Sequence, residues 1–132
     1  MVAFQEGALI DAAEYRALRA AVGWPDPAVD DDSLQDALDW TWNVVARDGG
    51  ELVGLGRLLD DGALYATIWD MIVAPERQRG GVGRGILERL LAHAAGRSIV
   101  ALVATEAGRG LYERHGFRRE SGGSVGMLLR PG

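Results

Sequence analysis

Two periods of apolar residues run along the chain, and together they predict a protein that contains both helices and strands. The helical period appears near the N-terminus at Ala12, Tyr15, Leu18 and Val22. Steps of three and four residues place side chains on one face of a helix, so we predict a helix over residues 9–22. A short edge strand is expected before it, at 2–4. The acidic run 30–32 and Ser33 favour the start of a second helix.

The next stretch has the composition of strands separated by tight turns. Aspartate and glycine cluster at 48–50 and again at 60–62, which is typical of hairpin turns. Three strands are therefore predicted as an antiparallel meander, at residues 40–46, 51–59 and 63–73.

A strand, a glycine-rich loop and a helix follow one another between Tyr65 and Ala95. Pro75 ends the strand, because proline has no N–H to donate to a ladder. Four glycines then lie within six positions, at Gly80, Gly81, Gly83 and Gly85. From Val82 onward apolar residues recur every fourth place, which predicts a helix that starts in the loop.

This junction has the chemistry of an anion site. The first turn of a helix has N–H groups without helical partners, and a loop with few side chains lets a phosphate approach them. Arg77, Arg79 and Arg84 add positive charge around the loop. The alternative is a glycine turn that only makes a sharp corner between strand and helix.

The last third of the chain alternates again between short elements. An apolar run at 98–104 predicts a buried strand, and 106–115 a short helix. Two final strands are expected at 117–120 and 124–129, around Gly122 and Gly123. The predicted order β-α-α-β-β-β-α-β-α-β-β indicates an α/β fold with a mixed sheet.

Composition narrows the class of protein. The 132 residues suit one domain, and none is a cysteine, which excludes disulfides, a thiol nucleophile and thiolate metal sites. His93 and His115 lie in different contexts, so no metal site is expected. Neither a membrane-length apolar run nor a signal pattern appears, and a cytoplasmic location is the expectation.

Charge is unevenly distributed between the halves. Residues 1–66 hold 13 acidic and 4 basic residues, whereas 67–132 hold 6 acidic and 10 basic residues. This difference in charge would suit a protein whose second half binds an anionic cofactor and whose first half binds a cationic substrate. An acidic surface that only keeps the protein soluble explains it equally well. The basic residues gather near the glycine loop and form no long stripe, so nucleic acid is not an expected partner. Without a membrane-length apolar run, a membrane is not expected either.

The loop motif identifies a family. The P-loop requires a lysine, which this chain lacks, and the dinucleotide pattern G-x-G-x-x-G fails at Ile86. Residues 78–83, QRGGVG, match Q/R-x-x-G-x-G/A, and here the chain resembles the GCN5-related N-acetyltransferase (GNAT) superfamily. A second segment, 111–117 (LYERHGF), is similar to the late A-x-x-x-Y-x-x-x-G-F box of that family.

The resemblance covers nearly the whole chain and implies one GNAT domain over 1–132. The implied fold is a mixed, mostly antiparallel sheet of about six or seven strands flanked by about four helices. Segment 105–110 lacks an asparagine that many members carry there, which affects one contact to the cofactor.

The resemblance also implies a reaction. An acetyl group would pass from acetyl-CoA directly to a primary amine within a ternary complex, without a metal. The residues implied to bind acetyl-CoA are Met71, Ile72 and Val73 at the strand end and Gln78, Arg79, Gly80, Gly81, Val82, Gly83 and Arg84 in the loop.

Two residues are candidates for proton transfer. Tyr112 occupies the position of the tyrosine acid of the family and would protonate the leaving thiolate; alternatively, it is an aromatic residue packed on the sheet. Asp70 is the only acid inside the central strand, and could take a proton from the amine. It could equally be a polar strand residue that bonds a neighbour or fixes a local bend.

The acceptor is the least defined part. Trp24, in the loop between the first helices, is the best candidate to contact a small cationic amine, together with Asp70. A tryptophan in a small protein is, however, most often part of the core. Protein amines remain possible acceptors, and a homodimer is possible through a sheet edge near the C-terminus. A non-catalytic acyl-CoA-binding or regulatory module and an unrelated phosphate binder are the alternative functions.

Overall fold

A five-stranded β-sheet forms the centre of the protein in its computed structural model, which describes residues 1–120 and 122–131. The strands lie in chain order, and all neighbours are antiparallel except the parallel pair β4–β5. The elements are β1 (Val2–Glu6), α1 (Ala12–Ala21), α2 (Asp31–Trp40), β2 (Trp42–Asp48), β3 (Glu51–Asp60), β4 (Tyr65–Val73), a 3-10 turn (Pro75–Arg77), α3 (Val82–His93), β5 (Ile99–Leu102) and α4 (Arg109–Arg114). The predicted mixed, mostly antiparallel α/β architecture is confirmed.

The helix starts follow their capping residues. Helix α2 begins after Asp30, whose carboxylate accepts a hydrogen bond from Ser33 N at 2.7 Å, as the acidic run predicts. Helix α1 begins at Ala12, within the predicted 9–22, because Asp11 in extended conformation is its N-cap. Within the described residues, no helix is long and apolar enough to cross a lipid bilayer.

Helix α3 packs closely on one face of the sheet because glycines make room for it. A Cβ built on Gly56 would lie 2.7 Å from Ile86 Cγ2 and 2.8 Å from Leu90 Cδ1. A Cβ on Gly54 would lie 2.9 Å from Val82 Cγ1. At these distances a larger side chain would force Ile86, Leu90 or Val82 to shift, so the glycines allow α3 to lie this near to β3.

The C-terminal region differs from the expectation. The strands predicted at 117–120 and 124–129 are absent from the described residues there, so the sheet has five strands, not six or seven. Helix α4 is also shorter than the predicted 106–115. A strand requires a neighbour as well as a suitable pattern, and the last described residues run exposed without one.

Candidate active site

The pairing of β4 with β5 ends partway along β4, and this opening in the ladder is the centre of the candidate site. Their parallel ladder runs from Tyr65 paired with Ile99 to Ile68 paired with Leu102 and ends there. Strand β4 continues to Val73 and still pairs with β3 on its other side. The β5 side of residues 69–73 therefore presents main-chain groups without a ladder partner, where an extended ligand could pair.

A β-bulge in β4 lies just beyond the last pair with β5. Leu55 pairs with Ile72 and Arg57 with Trp69, so two residues of β4, Asp70 and Met71, lie opposite the single residue Gly56. Asp70 has a φ of 54°, in the left-handed region that few non-glycine residues adopt, although aspartate tolerates it better than most. The predicted "local bend" at Asp70 is thus a defined backbone feature.

The predicted pantetheine residues lie along the opening. Met71 and Val73 are partly buried, and Ile72 is buried in the core. Met71 points toward α3, since a Cβ on Gly56 would lie 2.7 Å from its sulfur. The main chain of 71–73, and not these side chains, faces the free side of β4.

The glycine loop forms an open corner at the start of α3. Gly80 and Gly81 are exposed, Gly81 has a φ of 84°, and no heavy atom lies within 4 Å of a Cβ built there. The first helical hydrogen bond runs from Gly85 N to Gly81 O at 3.0 Å, so the N–H groups of residues 82–84 have no helical partner. A diphosphate could approach this corner without obstruction and accept hydrogen bonds from its main-chain N–H groups. The exposed Arg84 adds positive charge beside it.

Two further contacts fix this corner to the end of β4. The Gln78 side chain donates through Nε2 to Val73 O at 3.1 Å. A Cβ on Gly83 would lie 3.6 Å from Val73 Cγ2 and 3.5 Å from Leu111 Cδ2, so the strand end, the loop and α4 converge there. Arg79 has a φ of 69° and is exposed, which leaves its guanidinium in solvent beside the corner.

Tyr112 lies on α4, one residue after Leu111. Its ring is buried and meets Phe117 edge-on, with ring centroids 5.9 Å apart. Burial raises the pKa of its phenol, so the hydroxyl stays protonated throughout the neutral range. Burial is the single cause of this shift, and no hydrogen bond joins the hydroxyl to another described residue.

Asp70 lies on the opposite face of the sheet from α3, in a cluster of three donors. Its carboxylate accepts from Tyr15 Oη at 2.6 Å, Arg57 Nη1 at 2.9 Å and Arg19 Nη1 at 3.3 Å. All these side chains are largely buried. Burial and the carboxylate raise the pKa of the Tyr15 phenol. The cluster joins the bulge of β4 to α1 and β3.

The structure brings Trp24 close to this cluster through Arg19. The Arg19 guanidinium lies 5.4 Å from the Trp24 ring centroid and donates from Nη2 to Pro25 O at 2.8 Å. Trp24 is partly buried against the core. Trp40 and Trp69 are exposed, whereas Trp42 stacks on His93 on the α3 side, at 3.7 Å between centroids.

Sequence reasoning missed Tyr15, Arg19 and Arg57, which hold Asp70. One signal was available, because Arg57 is a charged residue within the apolar strand β3 and needs a buried acid as partner. Tyr15 and Arg19 are one helical turn apart on α1, so their proximity to each other could be predicted. The sequence does not indicate that this turn packs against Asp70. Among the residues described, no group of three His, Asp or Glu side chains could hold a metal ion.

Comparison with known proteins gives the same identification. The sequence profile of the acetyltransferase (GNAT) domain matches residues 40–119. GCN5-related N-acetyltransferase 2, chloroplastic, of Arabidopsis thaliana is 30% identical over 98% of this chain and 58% of its own length. Serotonin N-acetyltransferase 2, chloroplastic, of rice is 30% identical over 91% of this chain and 62% of its own length. The chain thus spans about three fifths of these curated relatives, and their names do not support the predicted cytoplasmic location.

Solved structures agree on the fold. A GNAT-family acetyltransferase from Streptococcus pneumoniae is 29% identical and superposes with a TM-score of 0.84, covering 99% of this chain and 98% of that one. A probable acetyltransferase from Staphylococcus aureus, 24% identical, has the same fold with a TM-score of 0.86 over 99% of this chain and 100% of that chain. The open corner before α3, the parting of β4 from β5 and these matches lead to one conclusion: the chain belongs to the GNAT family of acetyltransferases.

Proposed function

We propose that the protein is an N-acetyltransferase that moves the acetyl group of acetyl-CoA directly to a primary amine within a ternary complex. The observation that carries the proposal is the open corner at Gly80–Gly83, placed at the end of the opening between β4 and β5. The main-chain N–H groups that can bind a diphosphate lie next to the unpaired strand edge that can pair with an extended pantetheine arm. One bound molecule could therefore use both.

Each part of the site has a role in holding this co-substrate. The N–H groups of residues 79–84 bind the diphosphate, with Arg79 and Arg84 adding charge and Gln78 fixing the loop. The main chain of Met71–Val73 pairs with the pantetheine arm. A strand N–H near Ile72 or Val73 donates to the thioester oxygen as negative charge develops on it. Much of the rate comes from holding thioester and amine in line.

Tyr112 acts as the acid that protonates the leaving thiolate. Two observations support this role: the pKa of Tyr112 is raised by burial alone, and its hydroxyl has no hydrogen-bond partner in the described part of the chain. A phenol that stays protonated and is free to donate can supply a proton at neutral pH. Its helix also adjoins the loop through Leu111 and Gly83.

Asp70 acts as a positioning residue in this proposal, and the base role becomes the weaker interpretation. Both oxygens of its carboxylate already accept hydrogen bonds, from two guanidinium groups and a phenol, so they are engaged in holding the cluster together. Its charge instead holds the bulge against α1. Without a base on the enzyme, the pH profile of turnover should follow the pKa of each amine acceptor. With a base on the enzyme, the same pKa would appear in the profile whichever amine is used.

The acceptor is a small cationic amine, most consistently one with an aromatic body. Trp24 borders the cluster on the face of the sheet opposite α3, and Trp69 is exposed on β4 next to the bulge. Aromatic faces attract cations and flat rings. One relative is named for serotonin, which is an arylalkylamine.

Two measurements test the proposal in sequence. In a thermal-shift assay, acetyl-CoA at 100 times its Kd should raise the melting temperature, while ATP and NAD should not. Thiol release is then followed colorimetrically with tryptamine, serotonin, polyamines and peptide N-termini as acceptors. The chain has no cysteine, so every thiol detected comes from coenzyme A. Binding without thiol release from any amine would indicate the non-catalytic acyl-CoA-binding module instead.

Substitution of Tyr112 tests its role. Tyr112→Phe should reduce kcat by about 10²-fold and leave the Kd of acetyl-CoA within twofold, because only a proton donor is removed. Tyr65→Phe, on an exposed ring, is the matched control and should leave both unchanged. An unchanged kcat in Tyr112→Phe would remove the acid role.

We also propose a cytoplasmic location, which fractionation of the producing cells tests.

A further inference from the structure

A buried asparagine begins a chain of side-chain hydrogen bonds that ends at Asp70. Asn43, near the start of β2, has 0% of its surface exposed. Its Nδ2 donates to Leu38 O at 2.9 Å and to Ala8 O at 3.1 Å. A main-chain carbonyl oxygen can only accept, so both amide hydrogens of Asn43 are used and its Oδ1 points the other way, toward Thr41.

Thr41 is the second member of this chain, and its hydroxyl has a defined direction. Thr41 Oγ1 lies 2.7 Å from Asn43 Oδ1 and 3.1 Å from Arg57 Nε. The amide oxygen can only accept and the guanidinium can only donate, so the hydroxyl donates to Asn43 and accepts from Arg57. This hydroxyl is therefore the link between the buried asparagine and the arginine.

Arg57 is the third member, and its guanidinium is held along one edge. Nε donates to Thr41 and Nη2 donates to Ala37 O at 3.1 Å, both at the end of α2. On the other side, Nη1 donates to Asp70 Oδ2 at 2.9 Å, and only 12% of the Arg57 side chain is exposed. Because the guanidinium is rigid and planar, fixing one edge determines where the opposite N–H groups point. The end of α2 thereby sets the direction from which Arg57 reaches Asp70.

We propose that Thr41 is a positioning residue for the acceptor side of the site, because it orients Arg57 and thereby the Asp70 carboxylate and the bulge of β4. The inference rests on the proposed function, in which Asp70 directly precedes the strand residues that pair with the pantetheine arm. Thr41 acts through Arg57 and needs no contact of its own with either co-substrate.

Removal of the Thr41 hydroxyl leaves two buried groups without a partner. The Arg57 Nε–H loses its acceptor and Asn43 Oδ1 loses its donor, and an unpaired buried group costs free energy until it finds another partner. Arg57 restores a hydrogen bond by turning its plane, but Nη1 then moves away from Asp70. The amine should bind less well as a result, while the open corner at the start of α3, on the other face of the sheet, is unaffected.

A helix cap is the alternative role of this position. Thr41 is the C-cap of α2, and its hydroxyl also lies 3.3 Å from Leu38 O in the last turn. A cap stabilises its own helix, so the effect of losing it would add to the effect of a change at Asp70. The hydrogen-bond chain predicts the opposite, because Thr41 and Asp70 then act on the same guanidinium.

Steady-state kinetics with tryptamine and acetyl-CoA test the positioning role. Thr41→Val replaces the hydroxyl with a methyl group and should raise the KM for tryptamine about three- to fivefold, with kcat and the Kd of acetyl-CoA within about twofold. Thr41→Ala removes the same oxygen with less bulk and should behave alike. Thr41→Ser keeps the hydroxyl, and its KM should stay within about twofold of the wild type. An unchanged KM in Thr41→Val, or an equal rise in Thr41→Ser, would overturn the proposal.

A double-mutant cycle separates this role from that of a cap. In the Asp70→Asn background, Thr41→Val should raise the KM for tryptamine no further. In urea unfolding, the two substitutions together should change the equilibrium constant at least about fivefold less than the product of their separate effects. The same cycle of Thr41→Val with Asp36→Asn, at an exposed acid of α2, should give the plain product. Independent effects of Thr41→Val and Asp70→Asn would contradict the positioning role.

Failure of the proposed function would give a different result. If neither tryptamine nor the other amines released thiol, the acetyl transfer would be wrong, while the unfolding cycle would still decide whether Thr41 acts on Asp70. If thiol is released and Thr41→Val has the KM of the wild type, the reaction stands and the positioning role is wrong.

Discussion

The two faces of the sheet are held by opposite kinds of contact. On the α3 face, Gly54 and Gly56 let Ile86 and Leu90 approach the backbone of β3, and the packing is apolar. On the α1 face, the same stretch of β3 and β4 is held by the carboxylate of Asp70 and its three donors. The bulge in β4 is where the two kinds of contact meet, because the neighbouring residues Met71 and Asp70 point to opposite faces of the sheet.

This difference indicates a division of tasks. A close-packed apolar contact has one arrangement and holds the helix that starts at the glycine corner, so the side proposed to bind acetyl-CoA is firmly held. Hydrogen-bonded charges depend on direction, and they attach α1 and the Trp24 loop to the bulge of β4. Changes on the α3 face should therefore cost stability first, and changes on the α1 face should alter acceptor use first.

The largest effect is expected from filling the space at Gly56. Gly56→Val would place side-chain atoms against Ile86, Leu90 and Met71, and overpacking of this kind should lower the free energy of unfolding by about 3 kcal/mol. Urea unfolding followed by tryptophan fluorescence measures it. Gly126→Val is the matched control, since nothing lies within 4 Å of a Cβ there, and a change of similar size in the control would contradict the packing argument.

The second prediction concerns the charged face. Asp70→Asn keeps a side chain that tolerates a left-handed φ but removes the charge opposite Arg19 and Arg57. We expect a loss of roughly 2–3 kcal/mol in unfolding free energy, because two largely buried cations lose their partner. The KM for the amine should rise several-fold, while the Kd of acetyl-CoA stays within twofold.

Asp36→Asn is the control for this prediction, because Asp36 is an exposed acid on α2. It removes the same charge and should change neither stability nor KM measurably. If Asp70→Asn weakened acetyl-CoA binding as strongly as it raised the KM for the amine, the two faces would not be separate in function.

The part of the site that could be predicted from sequence is the part made from one continuous segment. The strand, proline, glycines and helix between Tyr65 and His93 are local in sequence, and their backbone requirements are visible as residue types. The cap at Asp30 is local in the same way. Such elements follow from the pattern because their partners lie a few residues away.

The remainder depends on residues far apart in the chain. Tyr15 and Asp70 are 55 positions apart, and their contact exists only once α1 lies across β4. The two missing C-terminal strands show the converse. Residues 124–129 have a strand pattern, but a strand forms only where an edge is available to it, and the pattern does not say which edge.

A third, smaller effect is expected at low pH, from the ion pair at the outer end of the α3 face. Arg97 binds Asp60 through Nε at 2.7 Å and Nη2 at 2.8 Å, and its guanidinium lowers the pKa of Asp60 to about 2 from an ordinary value of 3.8. His93 lies 3.7 Å from the carboxylate, and Asp61 is the neighbouring acid. Because the folded pKa is the lower one, this stabilisation is present above pH 4 and is lost as the pH falls toward 2.

The size of this loss is about 2 kcal/mol, from 1.36 kcal/mol per pKa unit. Unfolding free energies of the wild type and of Arg97→Met should be measured between pH 7 and pH 2. The wild type should be more stable by about 1–2 kcal/mol at pH 7, because Gly62 N and His93 share in the shift and solvent screens the pair, and the difference should shrink toward zero at pH 2. A difference that stayed constant with pH would show that Arg97 acts through packing instead of charge.

The smallest effect is expected where the charged face reaches solvent. Arg47 donates to both carboxylate oxygens of Glu14, at 2.7 Å and 3.1 Å, and this contact lowers the pKa of Glu14. Both side chains are partly exposed, so solvent screens the pair and each single loss should cost only about 0.5–1 kcal/mol. A double-mutant cycle with Glu14→Gln and Arg47→Met at 0.05 M and 1 M salt measures the coupling, which should fall in high salt. We compare this coupling energy with the loss of unfolding free energy in Asp70→Asn. If the two were equally large, the strength of the ion pairs on the α1 face would not depend on how deeply they are buried.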